Sequence, residues 1–238
     1  EAALAGSDAT WHDSLAEVPE GPFLLLANEL FDALPIRQFE RGAGGWRERL
    51  IGLVEDGETL VFVAGPEDPA IEVLIPEAAA ELPAGAVVEI CPEAEALARE
   101  IGRRVAGGPG AALLIDYGYR RPAGLSTFQA LRRHRRHDPL RAPGSADLTA
   151  QVDFAALGRA LAAGGAATFG PLEQGRFLAA LGLAQRAEVL TRSATGPQRR
   201  DIESAVRRLS DPGEMGTLFK AIAALPPKSL PPAGFLSD

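Results

Sequence analysis

Apolar residues along this chain come in short bursts between turn formers, and the first sharp burst is Phe23, Leu24, Leu25, Leu26 and Ala27. A continuous apolar run without alternation predicts a strand covered on both faces, as in a parallel sheet. Asn28 ends the run. Asn is a favoured helix cap, so Glu29 and Asp32 are expected in the first turn of a short helix that Pro35 stops. The carboxyl ends of strands are where open α/β sheets bind ligands, which makes this polar tip the first candidate site. The pattern recurs at 111–115, a second buried run that closes on Asp116 and Tyr117.

The remaining pattern fills in around these two strands. Segments 36–39, 46–54 and 59–64 are separated by GAGG and EDGE, which predicts an antiparallel meander, and 87–90 reads as one more strand. PEAEALAREIGRRV at 92–105 starts on Pro, carries acids early and arginines late, and so complements a helix dipole. Further helices are expected at 153–163 with Asp153 as cap, at 172–181, at 199–209 and at 214–225, with strands at 166–170 and 187–191. Residues 9–11, Ala-Thr-Trp, read as a short strand before a polar tip. Residues 119–150 show no period, and a loop of that length is usually functional or mobile. The tail PPKSLPPAG reads as extended. Strands alternating with helices predict a doubly wound α/β sheet, with a core at 1–35 and 91–225, an inserted β-rich subdomain at 36–90 and a Pro-rich tail at 226–238.

Composition narrows the class. With 238 residues, 46% hydrophobic and 24% charged, the chain can bury a real core. No apolar run approaches the roughly 20 residues that span a bilayer, so no membrane insertion is expected. The net charge of −8 disfavours general nucleic-acid binding. The single cysteine, Cys91, has no histidine beside it and reads as a small apolar residue at a strand end. A chain that opens on Glu1 without methionine reads as a fragment.

The motifs carry a resemblance. NELFDALP at 28–35, Trp46 and Glu48 downstream of QF, IDYG at 115–118, Thr127 and Gln129, His134, DPL at 138–140, DLTA at 147–150 followed by VDF, and QGRFL at 174–178 stand in one order. In that order they resemble the MidA-like mitochondrial complex I assembly protein-arginine methyltransferase family. The resemblance implies a Rossmann-like class I methyltransferase sheet carrying the inserted meander, S-adenosyl-L-methionine as cofactor, and a protein substrate such as an arginine of a respiratory complex I subunit. It implies a cytoplasmic protein if bacterial and a mitochondrial one if eukaryotic; a homodimer is left open. Two departures stand out. The family's Gly-rich donor motif has no counterpart here, so the first strands of the sheet and that motif are expected upstream of Glu1. Gln151 stands where a His is expected before VDF.

Methyl transfer to a guanidinium needs the nucleophile held and its charge matched, which suits carboxylates. Glu29 and Asp32, with Asn28, are the expected catalytic group, sharing one face of the helical turn; the competing reading is a cap with two acids at a helix start. Asp13, Ser14 and Asn28 are the implied cofactor contacts, against a plain solvated turn at 13–14. Asp116, Tyr117, His134 and Asp147 are the expected substrate contacts, and Asp147, Thr149 and Asp153 lid anchors, where capping competes. His134, His137 and Asp138 sit among four arginines that would repel a cation, so no metal site is expected. Two other classes stay open: a non-catalytic assembly protein with this fold, and an RNA methyltransferase using the same arginines.

Overall fold

The computed structural model describes residues 6–55 and 57–236. Its central sheet begins with β1 (Phe23–Asn28), which pairs in parallel with β6 (Gly110–Tyr119), Asn28 standing opposite Ile115. On the far side of β6 lies β12 (Phe219–Leu225), antiparallel to it, followed by β11 (Ala167–Glu173), antiparallel to β12. The sheet is therefore mixed, with β1, β6 and β11 running one way and β12 inserted against them.

Helices cover both faces. On one side α1 (Pro92–Gly107) packs on α2 (Phe154–Ala163), burying Ile101, Val105, Leu157 and Leu161 against Leu114 and Ile222. The expected ends hold: Pro92 opens α1 with Glu93 and Glu95 in its first turn, and Asp153 caps α2 by accepting from the N–H groups of Ala155 and Ala156 at 2.9 and 3.0 Å. Gly102 sets the closeness of the two helices, since a Cβ there would lie 2.2 Å from the carbonyl oxygen of Leu161. On the other face α3 (Gln174–Ala180) places Phe177 against Ala221, Ala223 and Phe235. That cover stops short of β1, so the expected burial of this strand on both faces does not hold: Leu24 and Leu26 remain 86% and 72% exposed.

Two smaller antiparallel sheets flank the core. One is the meander in the order β4 (Leu60–Glu67), β3 (Trp46–Leu53), β2 (Arg37–Arg41) and β5 (Val87–Ile90), built over Phe39, Trp46 and Val88. The other joins β8 (Arg135–His137), β7 (Gln129–Arg132) and β9 (Asp147–Thr149). A two-residue strand, β10 (Val152–Asp153), then runs parallel to the end of β6. Gly118 permits it, as any Cβ there would meet the backbone of Val152 at 2.1 Å. Among the described residues no helix is long and apolar enough to cross a membrane.

Several expectations are corrected. The FKAIAAL stretch forms strand β12, not the end of a helix; its alanines favour a helix in isolation, but burial on both faces of a sheet centre selects small strand residues instead. Residues 187–191 belong to helix α4 (Leu183–Arg192), where Arg192 pairs with Glu188 one turn away at 3.0 Å. Helices α5 (Gly196–Ser210) and α6 (Met215–Leu218) follow. Residues 9–11 form no strand, and Trp11 is exposed. The stretch 119–150 holds three strands that no alternation announced, because their side chains are largely polar. The tail is not simply extended: it turns at Gly234 to set Phe235 on Phe177, ring centroids 5.0 Å apart.

Candidate active site

The parallel pairing of β1 and β6 sets Asn28, the last residue of β1, opposite Ile115, so the turn after β1 meets Asp116 and Tyr117, which lie inside the longer β6 and not at its end as expected. The turn after β1 is not the expected helix. Glu29 takes a left-handed backbone, φ 49°, and its N–H bonds the carbonyl of Ile115 at 3.0 Å, so the chain leaves the sheet sideways. A non-glycine residue in that region is costly, and such strain gathers at functional sites. Glu29 and Asp32 therefore share no helical face: Asn28 and Glu29 are exposed, joined by a 3.3 Å bond from Asn28 Nδ2 to Glu29 Oε1, while Asp32 is buried.

Asp116 organises the turn. Its Oδ2 accepts from the backbone N–H groups of Phe31 and Asp32 at 3.0 and 3.2 Å, and its Oδ1 from that of Tyr117 at 2.9 Å. The group is 1% exposed. Burial first, and the nearby charge of Asp32 second, push its carboxyl up to about 7, against the pull of the three N–H donors. Burial and then Asp32 also raise the Tyr117 phenol above its usual range, while Thr149 and Gln129 act the other way. Thr149 and Gln129 stand opposite each other in the β7–β9 pair, so that small sheet is seated at Tyr117.

A crevice of about 480 Å³ opens beside this cluster, lined by Asp32, Pro35, Glu48, Phe62, Leu148 and Thr149. Its walls hold two guanidinium groups already. Arg37 is gripped by Glu48 in a fork, with bonds of 2.7 and 2.9 Å, and Arg49 lies 3.8 Å above the ring of Phe62. Arg37, first by hydrogen bonding, holds the Glu48 carboxyl below the usual range. Behind the crevice a second cavity of about 470 Å³ is lined by Phe31, Glu89, Tyr119, Gln151 and Asp153. Buried Glu89 fastens the 119–150 stretch by accepting from Gln38 Nε2 (2.7 Å), the N–H groups of Thr127 (2.9 Å) and Phe128 (3.1 Å), and the hydroxyls of Ser126 and Thr127.

The expected site residues thus divide. Asn28, Glu29, Asp32, Asp116 and Tyr117 come together where β1 ends. Asp13 and Ser14 lie on the surface with Glu17 as their hydrogen-bond partner, not Asn28. His134 is at an exposed turn between β7 and β8, and Asp147 is exposed on β9 opposite Leu131. Asp153 caps α2. Glu89, Arg49 and Phe62 escaped sequence reasoning; a lone Glu in a strand has no local signal, and only the fold reveals its donors.

For S-adenosylmethionine, the chain offers Asn28 and Glu29, exposed where β1 ends and joined to each other; acceptors of this kind would fit the ammonium and hydroxyl groups of that molecule.

Comparison with known proteins gives the relationship. Residues 2–172 match the family described as "Putative S-adenosyl-L-methionine-dependent methyltransferase". The chain is 36% identical over 228 residues to the mitochondrial protein arginine methyltransferase NDUFAF7 of Mus musculus, covering 95% of this chain and 51% of that protein. It is likewise 36% identical to the mitochondrial homologue of Drosophila melanogaster, over 93% of this chain and 51% of the other. The chain spans about half the length of these curated relatives. Two crystal structures from Burkholderia thailandensis share the fold. One, a native structure, superposes with TM-score 0.79 at 32% identity, over 96% of this chain and 59% of that one. The other, bound to S-adenosyl-homocysteine, gives TM-score 0.76 at 31% identity, over 96% and 57%.

Proposed function

Because the chain belongs to this family of S-adenosyl-L-methionine-dependent methyltransferases, we propose that it forms the acceptor side of an enzyme that methylates an arginine of a protein. The observation that carries this reading is the crevice beside Asp32, whose walls already seat one guanidinium in a carboxylate fork and another on an aromatic face. An acceptor arginine finds the same two kinds of partner there.

S-adenosylmethionine, when bound, supplies the methyl group; Asn28 and Glu29 would hold it. The rest is done by this chain's own residues. Asp116 fixes the backbone of Phe31 and Asp32, so the Asp32 carboxylate is presented from a rigid turn. Asp32 orients the guanidinium and balances its charge, and the low-dielectric floor under it strengthens that interaction. Phe62, Leu148 and Pro35 give the crevice its apolar lining. The acceptor is a subunit of a respiratory complex in the reading the motifs favour, which places the chemistry in the cytoplasm of a bacterium or the mitochondrion of a eukaryote.

The test combines donor binding with turnover on an arginine peptide. Asp32→Asn and Glu29→Gln should each lower methyl transfer about a hundredfold, the scale of losing a preorganised charge partner. Asp32→Asn should leave donor affinity by calorimetry near native. Turnover equal to the unaltered chain in Asp32→Asn would sink the acceptor assignment. Donor binding without any turnover would favour the assembly-protein reading.

A further inference from the structure

The densest charge in the molecule stands on a hairpin that the acceptor crevice does not use. Arg132, Arg133, Arg135 and Arg136 fill four of five consecutive positions around His134, and all five residues are exposed. Among the described residues none of these guanidinium groups lies in an ion pair. The hairpin is costly as built. Its register sets Arg132 directly opposite Arg135, and like charges across an antiparallel pair repel. Arg133 and His134 at the turn have φ of 51° and 61°, a left-handed pair that Asn-Gly would satisfy with less strain. A hairpin that only closed a loop would need neither feature.

Its position supplies a reason. Strand β7 starts at Gln129, which pairs with Thr149 beside Tyr117, so the arginines rise from the acceptor cluster itself. At about 3.4 Å per residue, Arg132 stands about 10 Å along the strand from Gln129. We infer that the Arg132–Arg136 hairpin is a docking surface for an acidic segment of the protein whose arginine is methylated, an inference that rests on the acceptor reading above. An extended acceptor covers the same 10 Å in about three residues, so its Asp or Glu side chains lie some three to five residues from the target arginine. Arginine forks match carboxylates in pairs. Two observations favour an acidic peptide over RNA. With four of the 24 basic residues gathered here, the rest of the chain is more acidic than its net −8 and repels a long polyanion. No Phe, Tyr or Trp occurs from 129 to 137 to stack a base.

The experiment needs no methyl donor. A fluorescein-labelled peptide of alternating Glu and Gly, its Gln counterpart and a single-stranded RNA of equal length are titrated into the chain by anisotropy. The Glu peptide should bind, the Gln peptide should not, and added salt should weaken the complex. Replacing the four arginines by Gln should cost about tenfold or more in affinity, while replacing them by Lys should keep the salt dependence with an affinity between the two. The altered residues are exposed, so thermal unfolding of the variants should match the original. Equal binding of the Glu and Gln peptides, or undiminished binding by the Gln variant, overturns the assignment; so does RNA binding that is tighter and lost in the same variant. Peptide binding that persists in a chain incapable of turnover upholds the docking surface and removes the methylation reading alone.

Discussion

The backbone N–H of Asp32 donates to the side chain of Asp116 at 3.2 Å across 84 residues of sequence. Asp116 thereby ties the turn after β1 to β6, and with Phe31 and Tyr117 it satisfies three N–H groups from one buried carboxyl. Removing it should be expensive. Asp116→Ala leaves three donors without a partner at about 1–3 kcal/mol each, so a loss of several kcal/mol is expected by denaturant unfolding. Asp116→Asn keeps one acceptor oxygen and should lose roughly half as much. Equal losses in the two variants would show that cavity formation, not hydrogen bonding, sets the cost.

The same residue predicts a pH dependence. An aspartate in the unfolded chain titrates near 3.9, while burial and then Asp32 push folded Asp116 up to about 7. Between roughly pH 4 and 7 the folded chain holds a proton that the unfolded chain has released, so stability falls with rising pH. The contribution is complete below about pH 4 and lost as pH passes about 7. Unfolding midpoints at a series of pH values should decline across this window relative to those of Asp116→Asn, which has nothing to titrate there. Parallel curves would remove Asp116 as the source. Methyl transfer should respond oppositely and rise through pH 7, because an ionised Asp116 adds a second negative charge behind the acceptor guanidinium.

Glu89 predicts a local opening. Its carboxylate is the shared acceptor for Gln38, Ser126, Thr127 and Phe128, and it holds the 119–150 stretch to β5. Glu89→Ala should speed amide exchange at Thr127 and Phe128 about tenfold or more, equivalent to about 1.4 kcal/mol, with the amides of β6 near native. Unchanged exchange at those two amides would mean the stretch is held elsewhere.

Local signals were legible where a single segment contains its own cause. The apolar run at 23–27, the caps at Pro92 and Asp153, and the turn formers bounding the meander all mark elements that the fold contains. The strand at 219–225 was not legible, since its alanines become strand residues only when β6 and β11 lie on either side. The strands at 129–149 were hidden for the opposite reason: they are only three or four residues long and largely polar, so no alternation distinguishes them from a loop.

The candidate site divides along the same line. From sequence alone the chain declares one strand that ends at Asn28 and a second that carries Asp116 and Tyr117, together with the motif order of a methyltransferase family, because residue type and spacing are local properties. Tertiary structure alone decides that Glu29 faces solvent while Asp32 is buried, that Asp116 grips a turn far away in sequence, and that Arg37, Glu48, Arg49 and Phe62 wall a crevice beside them. Those relations depend on which strands become neighbours and how deeply each carboxyl sits. Both follow from burying one shared core, a property of the whole chain that no single stretch of it encodes.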